Sequence, residues 1–85
     1  RVPEYQRRAM GSPPPSADER AEYDRVAGVV AGYRRRYGVE GDDPLGPRPL
    51  EAVRRSRYED ARRELRAYER RLGRVRERPG PDLGL

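Results

Sequence analysis

A repeat inside the chain limits its fold more than any other feature. Tyr23 to Gly38 reads YDRVAGVVAGYRRRYG and Tyr58 to Gly73 reads YEDARRELRAYERRLG. A shift of 35 positions places Tyr23 on Tyr58, Asp24 on Glu59, Val30 on Leu65 and Tyr33 on Tyr68. Arg35 and Arg36 then fall on Arg70 and Arg71, and Gly38 on Gly73. Both copies space their apolar residues by three and four, the period of a helix with one buried face. Two similar helices joined by a loop are the expected object. Tetratricopeptide units put two helices into about 34 residues, whereas one long helix fills the period here, so that assignment is rejected.

The core available to such a hairpin is thin. Among 85 residues there are six Leu, seven Val and no Ile or Phe, supplemented by eight Ala, six Tyr and one Met. One small domain is the limit, and a core of this size rarely supplies more than about 3–5 kcal/mol. Marginal stability, or support from a larger chain or a partner, is expected. The chain opens on Arg1 rather than Met, which suggests a piece of a longer polypeptide. No apolar run approaches the roughly 18 residues of a membrane span, and no signal peptide is visible. Without Cys or His the chain has no disulfide, no thiol nucleophile and no histidine general base or metal ligand. The expected location is the cytoplasm, and neither a cofactor nor a small-molecule substrate is expected.

Along the chain, residues 1–10 suit a short helix with Pro3 in its first turn, ended by Gly11 and followed by a stiff SPPP connector to residue 15. Ser16 and Glu19 form a capping-box pattern, and Asp18, Glu19 and Glu22 suit the positive end of a helix dipole. The spacing predicts a helix over about 17–37, with Arg34, Arg35 and Arg36 in its last turn and Gly38 as the left-handed stop. Residues 38–48 are a loop whose Val39 and Leu45 should plug the end of the hairpin. Pro49 is a favourable first helical residue, and Leu50, Val53, Tyr58, Ala61, Leu65, Tyr68, Leu72 and Val75 continue the apolar pattern. A second helix over about 49–77 follows; Gly73 could interrupt it, and Pro79 should stop it before a frayed tail over 79–85. The fold class is all-α: a short N-terminal helix, a long antiparallel hairpin over 16–78 and a flexible tail.

All 20 basic residues are Arg, a bias that a GC-rich coding sequence partly explains. Their placement is more informative. Residues 1–44 balance eight Arg against eight acids, whereas residues 45–85 carry twelve Arg against seven acids. Within the second half, Arg62, Arg66, Arg70 and Arg74 recur every four residues, flanked by Arg55 and Arg63. Each step of four advances about 6 Å along a helix with little rotation, which makes a stripe of guanidinium groups. Like charges at that spacing cost a few tenths of a kcal/mol per pair, and phosphates would offset the cost. The alternative is a solvated face, softened by Glu59, Glu69 and Glu77 and by i,i+4 pairs of Glu59 with Arg63 and Glu51 with Arg55.

Gly28 and Gly32 lie on one face of the first helix, each at a cost of roughly 1 kcal/mol. Close approach of another backbone or ring would explain them, as would simple tolerance of glycine. Tyr23, Tyr33, Tyr58 and Tyr68 occupy core positions, so packing with the hydroxyl at the edge is expected over base stacking; Tyr5 and Tyr37 are less determined. Asp42 and Asp43 read as turn residues rather than metal ligands. No catalytic constellation is present.

The string AGYRRRYGVEGDDPLGPRP from Ala31 to Pro49, followed by RRSRYEDARRELRAYERR from Arg54, resembles a segment beyond the catalytic domains of actinobacterial conjugative relaxase–helicases. The resemblance rests on Tyr33, Arg34, Arg36, Tyr37 and Gly38, then Asp42, Asp43, Leu45, Gly46, Pro47 and Pro49, about half the chain. Proteins of that family nick and unwind plasmid DNA, with a tyrosine nucleophile and a histidine-bound metal. A chain without His inherits no catalytic role from it. The resemblance implies an accessory helical segment placed near DNA or between larger domains. Two expectations follow: contact with a nucleic-acid backbone through the arginine stripe, or docking of the hairpin on another helical protein or domain through the Gly28/Gly32 face.

Overall fold

The computed structural model describes residues 2–77, with side chains described as far as Arg71. Three helices make up the fold: α1 (Glu4–Met10), α2 (Ala17–Tyr37) and α3 (Ala52–Glu77). The tail over 79–85, the Pro79 stop and the side chains of Leu72, Arg74 and Val75 lie outside the described residues.

The repeat becomes an approximate twofold. Antiparallel packing of α2 on α3 sets the first tyrosine of each copy against the second tyrosine of the other. Tyr23 meets Tyr68 edge-on at 5.9 Å between ring centres, and Tyr33 meets Tyr58 edge-on at 6.1 Å. Edge-to-face pairs are the favoured aromatic geometry, and each adds about 0.5–1.5 kcal/mol to the burial itself. Val26, Val30, Ala61 and Leu65 fill the space between the two pairs, and all are buried. Two of the tyrosine hydroxyls meet arginines, with Arg54 Nε donating to Tyr33 and Arg62 donating to Tyr58, each at 3.2 Å, whereas the Tyr68 hydroxyl is buried rather than at the edge. Tyr5 and Tyr37 pack half-buried against this core.

Tyr23 also anchors α1. Its hydroxyl donates to the Gly11 carbonyl at 2.9 Å and accepts from the Gln6 amide at 3.1 Å. Met10, the last residue of α1, is buried in the same cluster. Pro3 is the N-cap of α1 rather than a residue of its first turn, so its ring lies just outside the helix. At the start of α2 only the serine arm of the capping box forms, with Ser16 Oγ accepting from the Glu19 N–H. Gly38 ends α2 at φ +65°, ψ +36°, and its N–H returns to the Arg34 carbonyl.

The loop from Gly38 is held by Arg34. One guanidinium nitrogen donates to the Asp43 carbonyl at 2.8 Å and to that of Pro44 at 3.2 Å, and the other donates to Gly41 at 2.9 Å. The same group lies 3.7 Å from the Tyr5 ring centre, so one side chain joins α1, α2 and the loop. Asp43 turns the loop by accepting the Leu45 and Gly46 N–H groups at 3.3 and 3.2 Å, and Asp42 pairs with Arg8 at 3.2 Å. Gly46 is at φ +68°, and a Cβ there would stand 3.3 Å from Val39. Leu45 is buried and Val39 packs beside it, so the two plug the hairpin as expected.

Where α3 begins is a correction. Pro49, Leu50 and Glu51 precede the helix, and Leu50 and Val53 are 90% and 57% exposed instead of continuing the core. The physical reason is the supply of acceptors for the first free N–H groups. Glu51 turns its carboxylate onto the Val53 and Arg54 N–H groups at 3.2 and 2.8 Å, and its carbonyl accepts the first helical bond, from Arg55. A start at Pro49 would put Arg48, which has no acceptor, in the capping position. Gly73 does not break α3, because helix formers rather than turn residues follow it.

Of the two readings of Gly28 and Gly32, tolerance fits the packing within the chain: among the described residues a Cβ added at either would meet nothing within 4 Å. Gly28→Ala and Gly32→Ala should therefore each raise stability by about 0.5–1 kcal/mol, measured by chemical denaturation. A loss at either site would show contacts that this packing lacks.

Candidate nucleic-acid interface

On α3 the apolar face through Tyr58, Ala61, Leu65 and Tyr68 turns inward, and this sends Arg62, Arg66 and Arg70 outward along the exposed side. Arg74 continues the row on the backbone of α3. Among the described residues no carboxylate lies within 4.0 Å of Arg62, Arg66 or Arg70. Arg62 keeps one bond, to the Tyr58 hydroxyl, which orients its guanidinium at the start of the row. Arg62 and Arg66 border an open cleft of about 620 Å³ between α1, the loop and α3. Arg8, Asp42, Asp43 and Glu69 line the same cleft, so acids stand near the inner edge of the row.

The two flanking arginines differ from expectation. Arg63 pairs with Asp60 at 3.1 Å, while Glu59 reaches across to Arg48 in the loop at 2.9 Å. Arg55 donates to the Leu50 carbonyl at 3.0 Å because Glu51 is engaged in capping. Neither i,i+4 pair forms, since each glutamate finds a partner that also fixes backbone or loop. Arg55 is thereby tied to the helix start, and the structure brings together Arg62, Arg66 and Arg70 as the free row.

Charge is handled differently at the open end of the hairpin, away from the loop. There Arg25 bridges Glu22 at 2.8 Å and Glu64 at 2.9 Å, and Arg71 also bonds Glu22. The Arg25 hydrogen bonds hold the Glu22 carboxyl below its ordinary value, aided by the charges of Arg25 and Arg71 and opposed by partial desolvation. A depressed carboxyl stabilises the fold above its unfolded pKa, and that stabilisation is lost as pH falls through the folded value. Acid titration of stability should thus show a loss starting near pH 4.5, the ordinary value, that Glu22→Gln abolishes. The effect of so exposed a network should stay below about 1 kcal/mol.

Sequence reasoning missed a second group of arginines, on the other side of α3. Arg36, Arg54 and Arg57 gather around Tyr37 and the open Gly28/Gly32 face, and none has a carboxylate within 4.0 Å among the described residues. The 35-residue shift contained the signal, since it aligns Glu22 with Arg57 and Glu64 with Val29. Among the described residues no helix is long and apolar enough to cross a membrane. Compared with protein families, curated proteins and solved structures, the chain has no match.

Proposed function

We propose that this chain is a non-enzymatic helical module that contacts a nucleic-acid backbone through Arg62, Arg66, Arg70 and Arg74. Its setting would be a larger cytoplasmic DNA-processing protein, of the relaxase–helicase kind that the Tyr33–Pro49 motif resembles. The observation that carries this reading is the exposed row of Arg62, Arg66 and Arg70, which has no carboxylate within 4.0 Å among the described residues, while neighbouring Arg55, Glu59 and Arg63 are engaged elsewhere. Its step of about 6 Å is close to the rise of two nucleotides along a strand, and guanidinium forks suit phosphate oxygens. Such contacts confer little sequence preference and strong salt dependence.

Anisotropy of labelled single- and double-stranded DNA tests it. With four phosphate contacts, duplex affinity should fall about 10²-fold between 50 and 200 mM salt. A variant with Gln at 62, 66, 70 and 74, matched in helicity, should lose both affinity and salt slope. Absence of binding by the wild-type chain at 50 mM salt would overturn the reading.

A second reading is that the hairpin docks on another protein. Leu50 and Val53 stand in solvent, Val29 is partly exposed, and a Cβ at Gly28 or Gly32 would meet nothing within 4 Å among the described residues. That reading predicts helicity that rises with concentration or on addition of a partner.

A further inference from the structure

The approximate twofold of the hairpin gives each surface a counterpart from which its missing parts can be read. At the open end, Glu22, Arg25, Glu64 and Arg71 form a closed set in which two carboxylates neutralise two guanidinium groups. The 35-residue shift carries those positions to Arg57, Asp60, Val29 and Arg36 at the loop end. Both glutamates are lost there: one becomes Val29 and the other a further cation. The remaining acid, Asp60, is already held by Arg63 at 3.1 Å. Arg36 and Arg57 therefore face a groove of about 290 Å³, lined also by Asp60, that lacks among the described residues the two glutamates which hold Arg25 and Arg71 at the open end.

The groove is also shaped. Arg36 and Arg54 are fixed by the aromatic wall: each packs on the Tyr37 ring, at 5.5 and 5.0 Å, and each donates from Nε to a tyrosine hydroxyl at 3.2 Å. Arg54 stands behind that wall, and the remaining guanidinium donors of Arg36, which lines the groove, have little entropy left to lose on binding. The floor lacks side chains at Gly28 and Gly32, and Val29 on the rim is 36% exposed.

We propose that this groove docks an acidic helix of a partner protein, whose glutamates or aspartates supply the two carboxylates absent from the loop end. The open floor admits a helix backbone, and Val29 offers it one apolar contact. A nucleic acid fits less well. The Tyr37 ring already carries Arg36, Arg54 and, at 4.9 Å, Tyr33, so it is not a free platform for a base. Arg57 and Arg66 are nine residues apart, about half a turn beyond two full turns, so groove and arginine row lie on opposite sides of α3. The inference gives the docking reading a site and a partner chemistry, and it stands whether or not the row binds DNA.

The test uses a labelled Ala-rich helical peptide of about four turns bearing Glu residues four apart, and its Gln counterpart. Wild-type chain should bind the Glu peptide and not the Gln peptide. Binding should weaken about tenfold or more in Arg36→Gln/Arg57→Gln, and persist in Arg66→Gln/Arg70→Gln. Gly32→Leu, which fills the floor where a Cβ meets nothing, should block the peptide and keep the fold, with thermal unfolding as the check. Failure of the wild-type chain to bind the Glu peptide, or equal binding by the Gln peptide or the groove variants, overturns the proposal. So does loss of single-stranded DNA affinity in Arg36→Gln/Arg57→Gln without any effect on the peptide. The arginine row is tested separately by the DNA titration of its own variant.

Discussion

Tyr23→Ala leaves the chain largely unfolded at room temperature. The side chain is 1% exposed and is among the largest fully buried groups of the fold. Replacing a buried aromatic by Ala removes its transfer free energy and leaves a cavity, together about 3–5 kcal/mol. A core of this size supplies about that much in total. The substitution also removes the edge-on partner of Tyr68 and the acceptor and donor that fasten α1 through Gln6 and Gly11. Far-UV circular dichroism during denaturation reads the outcome as loss of a cooperative transition. Tyr23→Phe separates the two roles: it keeps the ring and leaves the Gly11 carbonyl without its donor, at about 1–3 kcal/mol. In that variant amide exchange should speed up in α1 before it does in the hairpin. A cooperative transition of nearly wild-type midpoint in Tyr23→Ala would show that the paired tyrosines do not hold the helices together.

Arg34→Ala is expected to have the next largest effect, about 2–4 kcal/mol, although the residue belongs to a run of three arginines. Hydrogen bonds from a charged donor contribute about 1.5–3 kcal/mol apiece, and an arginine stacked on tyrosine about 0.5–1 kcal/mol. Arg34 makes bonds to three carbonyls and one such stack, and these are not additive because they share one side chain. Its removal leaves the Gly41, Asp43 and Pro44 carbonyls of the loop to water and frees Tyr5 from α2. Arg34→Lys should recover only part of the loss, since an ammonium cannot fork between separated carbonyls. Arg35→Ala, on an exposed side chain, should cost less than about 0.5 kcal/mol. Denaturation midpoints of the three variants decide the matter; equal midpoints for Arg34→Ala and Arg35→Ala would remove the clamp from the account.

The Arg34 clamp also bears on the motif that carries the family resemblance. Arg34, Gly38, Asp42, Asp43, Leu45 and Gly46 each have a part in closing the loop: guanidinium clamp, left-handed stop, tie to Arg8, turn acceptor, plug and tight approach to Val39. Those residues build a turn between two helices, and their presence informs on folding before it informs on DNA. Contact with nucleic acid would accordingly fall to Arg62, Arg66 and Arg70, which the loop does not use.

The helices were legible because periodicity and caps are local. Ser16 and Gly38 bound α2 where the sequence places its limits. The start of α3 was equally available, since the shift of 35 carries Ala17, the first residue of α2, onto Ala52, the first of α3. Proline favours a first turn in general, whereas the particular start of α3 follows Glu51, the residue that caps the free N–H groups. Gly38 and Gly73 are equivalent in the repeat yet differ in outcome, because VEGDDP follows the first and RVRE the second.

The sequence by itself determined three helices, a tyrosine-centred core and a surplus of arginine on the last helix. These depend on spacing along the chain and on the conformational preferences of single residues. The tertiary structure alone decided which arginines are engaged. Arg25 reaches Glu64 across the helix pair, Glu59 chooses Arg48 over Arg63, and Arg34 turns into the loop while Arg36 turns toward Tyr37. A long charged side chain can reach several partners, and the choice among them follows from where other segments arrive in space. Spacing along one helix holds no information about that arrival.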